Sequence, residues 1–249
     1  MNQLHTEGRV YVEQLVETFG VSEVSIRKDL AVLEERKLLV RVKGGAIALH
    51  QAGDFDDMSI TSKQRLHARE KQLIGKFAAS LIHDGERIIF DSGTTTMEVA
   101  KNLDAFSNLT VITNALDIAI TLNNYNRFSV IVLGGTMRAV SHSTVGMLSE
   151  AALKNIFCDK LFLGVDSISI KDGISTPSLE EASLNQAMIG AAKEVIAVFD
   201  SSKFGRRTFA HIAPLDKITA IVTDNHISPE LKEDIEKSHI ALHIVDVDQ

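Results

Sequence analysis

Seven short runs rich in valine and isoleucine, at residues 87–90, 109–113, 128–133, 160–165, 195–199, 218–222 and 240–245, are separated by segments of helical periodicity. Each run is mainly apolar instead of strictly alternating, as expected for a strand covered on both faces. The intervening helices supply the covers, so the pattern predicts an α/β domain built on a mainly parallel sheet. The preceding helix is expected over 69–83, through Ile74, Phe77, Ala78, Leu81 and Ile82.

A chain of 249 residues has room for one such domain plus a small appendage. Apolar residues make up 45% and charged residues 24%, which excludes a mostly disordered chain. No apolar run approaches the ~18 residues of a membrane span. Residues 1–10 are polar and lack the apolar centre of a signal peptide, so the cytoplasm is the expected compartment. A lone cysteine, Cys158, can form no internal disulfide and is expected to be structural.

The first 50 residues have a different pattern. Residues 12–19 place Val12, Leu15, Val16 and Phe19 at helical spacing and stop at Gly20. Ser22 is placed to cap a second helix, over 22–35, that buries Ile26, Leu30 and Leu33 and turns Ser25, Arg27 and Lys28 away from that face. Two helices across a tight turn make a helix-turn-helix, whose second member can lie in a DNA major groove. Residues 38–42 alternate, Gly44 and Gly45 offer a turn, and 46–49 return, which gives a two-stranded wing. The net charge of −7 opposes nucleic-acid binding, but its distribution is uneven. Residues 1–50 are neutral, and 27–43 carry six basic against three acidic side chains. The candidate DNA contacts are Ser22, Ser25, Arg27, Lys28, Arg41 and Lys43. The expected division is a winged helix-turn-helix over 1–50, a polar linker over 51–65 and an α/β domain over 66–249.

Within that larger domain, Asp91-Ser92-Gly93-Thr94-Thr95-Thr96 follows the first predicted strand and opens a helix. First-turn amides lack internal partners and lie at the positive end of the helix dipole, so Ser92, Gly93, Thr94, Thr95 and Thr96 are candidates to seat a phosphate. The competing explanation is an ordinary capped strand-helix turn. Asp91, Asn114, Gly134, Gly135, Asp166, Glu180, Glu181 and Lys203 follow strands or open helices, and in a parallel sheet such positions share one edge. The carboxylates there could hold sugar hydroxyls, and Lys203 could supply charge to the phosphate. An isomerase or related transferase could use Asp166 or Glu181 as a base, but it would need no helix-turn-helix. No metal or cofactor is expected. His239 and His243, on a strand, would stand roughly 13 Å apart, too far to share an ion.

The segments 21–33 (VSEVSIRKDLAVL), 41–46 (RVKGGA), 91–96 (DSGTTT), 162–166 (FLGVD) and 200–204 (DSSKF) together resemble the DeoR family of sugar-catabolism repressors over nearly the whole chain. The resemblance implies a sensor domain similar to ribose-5-phosphate isomerase and the CoA transferases, with a sugar phosphate as effector. It further implies that Ser92 to Thr96 and Lys203 hold the phosphate, while Asp166 with Glu180 or Glu181 faces the sugar. The run 173–188 (GISTPSLEEASLNQAM) is most similar to the amino-sugar branch, whose repressors govern N-acetylgalactosamine use. A homodimer or homotetramer on paired operator half-sites is expected, without catalytic activity. The sequence departs from the family at its start. Only seven residues precede Gly8, with Leu4 their one clear apolar side chain, so the reader is expected to be incompletely packed.

Overall fold

The computed structural model describes residues 4, 9–36, 38–42, 44–48 and 58–248. The chain divides into two compact units, Met1–Asp56 and Asp57–Gln249. In the first, strand β1 (Arg9–Tyr11) leads into helix α1 (Val12–Phe19), which ends at Gly20. Helix α2 (Glu23–Glu35) starts at Ser22, whose hydroxyl accepts the Ser25 amide at 3.2 Å. Strands β2 (Leu39–Val42) and β3 (Gly45–Ala48) form the expected wing, and β1 joins it in the order β1-β3-β2. Three residues are too few to show a period, which is why β1 escapes sequence reading.

Leu4, Val10, Val12, Leu15, Ile26, Leu30, Leu39 and Ala46 form one buried cluster. Leu4 is only 2% exposed, so the expected gap in packing is not found at that position. The strand β1, which sequence reading did not place, contributes Val10 to the cluster.

The second unit runs α3 (Ile60–Arg65), α4 (Ala68–Ala79), β4 (Arg87–Phe90), α5 (Thr94–Ala100), β5 (Thr110–Thr113), α6 (Leu116–Asn123), β6 (Ser129–Val132), β7 (Thr136–Arg138), β8 (Ser143–Val145) and α7 (Met147–Leu153). It continues with β9 (Cys158–Gly164), β10 (Ser167–Ser169), β11 (Gly173–Thr176), α8 (Leu179–Ala191), β12 (Ala192–Val198), β13 (Ala210–Ala213), β14 (Ala220–Asp224), α9 (Pro229–Lys237) and β15 (Ala241–Val245). All seven predicted runs are strands of one parallel sheet, ordered β15-β14-β12-β9-β4-β5-β6. Ile89, Ile112, Leu161 and Ala197 face one side, against side chains of α7, α8 and α9. Phe90, Val111, Phe162 and Val198 face the other, against α4, α5 and α6. From β4 the chain winds outward through β5 to β6, and from β9 through β12 to β15. The winding direction reverses between β4 and β9, and in such a sheet a crevice opens beyond the strand ends at that switch.

Two features differ from the sequence expectation. The last part of the segment read as a linker folds as α3, with Ile60 buried. Short antiparallel pieces, β7-β8 and β10-β11-β13, stand outside the main sheet.

Helices α4 and α5 approach closely at Gly75. A Cβ there would sit 2.5 Å from the Glu98 carbonyl carbon, so glycine lets α4 pack onto the helix that carries the threonine loop. Gly75→Ala is expected to destabilise the fold by about 1–3 kcal/mol through overpacking, seen as a lower urea midpoint at constant slope.

Candidate functional site

In the first unit, Ser22 is committed as the α2 cap, and its Oγ also lies 3.0 Å from Ser25 Oγ. Arg27 Nε donates to Glu23 Oε1 at 2.8 Å, one turn back on the same exposed face. Lys28 is exposed, without a bonding partner among the described residues. Arg41 is held to Glu34, whose Oε1 accepts the Arg41 amide at 2.9 Å. These exposed pairs are each worth less than about 1 kcal/mol and exchange readily for phosphate. Lys43 lies outside the described residues. Sequence reading missed Val24, which is 77% exposed on the first turn of α2, on the same face as Lys28.

The second unit has a cleft at the switch point, where the loops after β4 and β9 diverge. The first of these loops brings Asp91, Ser92, Gly93, Thr94 and Thr95 to its wall, and the second brings Gly164 and Asp166. The Thr94 and Thr95 amides lie in the first turn of α5 and have no intrahelical acceptor. Thr96 is turned inward, its hydroxyl donating to the Gly93 carbonyl at 2.9 Å.

Three lysines surround this wall. Lys203 arrives on the short 3-10 turn after β12, half-buried, its ammonium without a hydrogen bond or ion pair among the described residues. Lys63, from α3, donates to Asp166 Oδ1 at 2.7 Å. Lys71, from α4, donates to the Lys63 and Leu66 carbonyls at 2.6 and 2.7 Å. Burial lowers the Lys71 pKa to about 8, and the nearby Lys203 and Lys63 charges add to the effect.

The carboxyl groups of the cleft have distinct states. Burial raises Asp91 well above the ordinary carboxylate value, and Glu181 and Asp166 reinforce it against the Ser92 and Gly164 amides, which bond to the ionised form. Burial also penalises the Asp166 charge, but Lys63 and Lys203, with a 3.1 Å bond from the Thr176 hydroxyl, outweigh it and leave the pKa lowered. Glu181 is paired with Arg138 and lies 3.3 Å from the same Thr176 hydroxyl. Behind the wall, Asp200 is 1% exposed; its Oδ1 accepts from Ser202, and its Oδ2 has no donor.

Of the sequence candidates, Asp91, Ser92, Gly93, Thr94, Thr95, Asp166, Glu181 and Lys203 therefore meet at one cleft. Five do not, Thr96 among them. Asn114 is buried and donates to the Thr144 carbonyl at 3.1 Å, which ties β8 to the end of β5. The Gly134 carbonyl accepts from Ser149, and a Cβ on Gly135 would meet the Val145 oxygen at 2.4 Å, so Gly135 serves close packing under β8. Glu180 is exposed, about 100° around the helix from Glu181. Sequence reading missed Lys63, Lys71, Thr176 and Asn185, which also line the cleft. The buried Cys158 thiol lies outside it, and burial pushes its pKa up to about 11, which leaves it unreactive. Among the described residues no group of histidine, cysteine and carboxylate side chains could hold a metal, and no helix is long and apolar enough to cross a membrane.

Residues 1–52 match the DeoR-like helix-turn-helix domain, and residues 66–225 match the DeoR C terminal sensor domain. An Escherichia coli O157:H7 protein named for transcriptional repression of the aga operon is 35% identical over 98% of this chain and 91% of its own length. The lactose phosphotransferase system repressor of Staphylococcus epidermidis is 35% identical, over 94% of this chain and 92% of that protein. A ribose 5-phosphate isomerase A from Methanocaldococcus jannaschii is similar in structure at a TM-score of 0.41, with 15% identity over 55% of each chain. A reader matching one family domain, a sensor matching the other and full-length relatives that are repressors agree: the chain belongs to the DeoR family of DNA-binding transcription regulators.

Proposed function

We propose that this regulator represses sugar-catabolism genes and that a phosphorylated sugar, held in the cleft between the ends of β4 and β9, controls its grip on DNA. The observation that carries this reading is the convergence of Lys63, Lys71 and Lys203 on the loop 92–95, opposite Asp166 and Glu181. Lysines, hydroxyls and free amides suit a dianion, and carboxylates suit sugar hydroxyls. Ser92, Gly93, Thr94, Thr95 and Lys203 take the phosphate; Asp91, Asp166 and Glu181 face the sugar. Ser25, Arg27, Lys28 and Arg41 face operator DNA, and two copies read paired half-sites. Acting on genomic DNA, the protein works in the cytoplasm.

An isomerase reading is less well supported. A general base must be free to accept a proton, whereas Asp166 is paired with Lys63, Glu181 with Arg138, and Asp91 is shifted toward its neutral form. The resemblance of residues 173–188 to the amino-sugar branch favours a hexosamine phosphate as the sugar. The test is a gel-shift titration on duplexes enriched by the protein from a random library, with and without a panel of hexose and hexosamine phosphates. Retention of a specific duplex, released by one sugar phosphate and not by its free sugar, is the expected result. Failure to retain any duplex would remove the reading.

A further inference from the structure

The cleft is covered by the stretch that leads in from the DNA-reading unit. Met58, Ile60 and Lys63 line it from one side. Ile60 is buried, and its amide donates to the Val140 carbonyl at 2.8 Å. Lys63 crosses to Asp166. Lys71 holds the far end of α3 through the Lys63 and Leu66 carbonyls. Under this cover the interior volume is about 50 Å³. Sites for small organic ligands begin at about 300 Å³, so inorganic phosphate fits with the cover in place and a hexose phosphate does not.

We propose that residues 58–66 form a strap, latched by the Lys63–Asp166 pair, which a phosphorylated sugar must unlatch, and that this strap transmits occupancy of the cleft to the DNA reader. The proposal rests on the sensor reading above and adds how the site is regulated. The ligand supplies the differential interaction that a switch requires. Its sugar, too large for the covered cleft, displaces the strap and Lys63 with it, and Asp166, once released, is free to accept a sugar hydroxyl. Because the strap lies at the start of the sensor unit, on the side of the chain that leads to the reader, its displacement moves the point from which the reader is tethered. The latched state is the one competent for operator.

The latch can be tested without any ligand. Lys63→Met in the full chain breaks the ion pair and is expected to weaken binding to the enriched duplex at least tenfold. Amide exchange over 58–66 is expected to rise by a similar factor. Lys63→Arg, which keeps the pair, restores both, and Asp166→Asn reproduces the defect from the other side. If Lys63 were only a ligand contact, Lys63→Met would hold the duplex as tightly as the parent and lose only the response to sugar. That result overturns the strap. In the unsubstituted chain, a sugar phosphate that raises the melting temperature should change exchange over 58–66 at least threefold, while inorganic phosphate should not. Equal effects from the two probes would also overturn it. A panel in which no sugar phosphate binds removes the sensor reading instead, and the operator titration of Lys63→Met still decides the latch.

Discussion

Exchanging Lys203 for methionine is expected to weaken binding of a phosphorylated sugar about a hundredfold and to lower the melting temperature of the unliganded protein only modestly, by about 2–4 °C. The Lys203 ammonium makes no hydrogen bond or ion pair among the described residues, but its charge helps keep the buried Asp166 and Asp200 ionised, so the empty fold loses some support with it. Its charge also lowers the Lys71 pKa, so relief of that repulsion offsets part of the loss. Bound phosphate gives the ammonium a direct partner. A charge-assisted hydrogen bond contributes about 1.5–3 kcal/mol, and the larger figure is close to two decades in affinity. Isothermal titration and thermal melting of the variant check both halves. A loss under threefold would place the phosphate elsewhere.

Affinity for the effector should also fall as pH rises above about 8, because Lys71 must carry its proton to meet a dianion. Its folded pKa, about 8, is below the ordinary lysine value of 10.5, so the empty protein binds fewer protons than the unfolded chain between these values. Stability of the empty protein from this group is therefore lowest below pH 8 and rises through the window to 10.5. The penalty on the charged form is about 3 kcal/mol. An effector phosphate offsets that penalty and raises the Lys71 pKa, so binding above pH 8 takes up a proton. The expected slope is up to tenfold per pH unit. Titrations in two buffers of different ionisation enthalpy should give different apparent heats at pH 9 and similar heats at pH 7. Equal heats at pH 9 would remove Lys71 from the phosphate-binding groups.

The parallel frame was legible because its inner strands are buried on both faces, which makes a run such as 161–165 continuously apolar; the edge strands β6 and β15 are more exposed but still carry valine and isoleucine. The antiparallel pieces were not. β7, β8 and β10 are three residues each and mix polar with apolar side chains, too short for a period to emerge. α3, six residues long, suffers the same way, and with it Lys63 was read as linker. Lys71 was hidden for another reason. A lysine in an amphipathic helix reads as solvated face, and its 3% exposure follows only from the carbonyls of a neighbouring turn that it bonds. The loop 91–95 was recognisable because small and hydroxyl residues in succession exceed what a cap needs. Asn114 and the glycine pair at 134–135 share the sheet edge with that loop, but adjacency along an edge does not say which way a side chain turns.

The groups around the cleft come from two kinds of framework. Asp91 to Thr95 hang from the rigid middle of the parallel sheet, whereas Arg138 and Thr176 ride on the antiparallel inserts and Glu181 on the helix that follows them. On the proposed reading, the phosphate seat at 92–95 and the side chains of Arg138, Thr176 and Glu181 can therefore vary independently, so substitutions on the inserts can alter which carbohydrate is recognised while the seat stays unchanged.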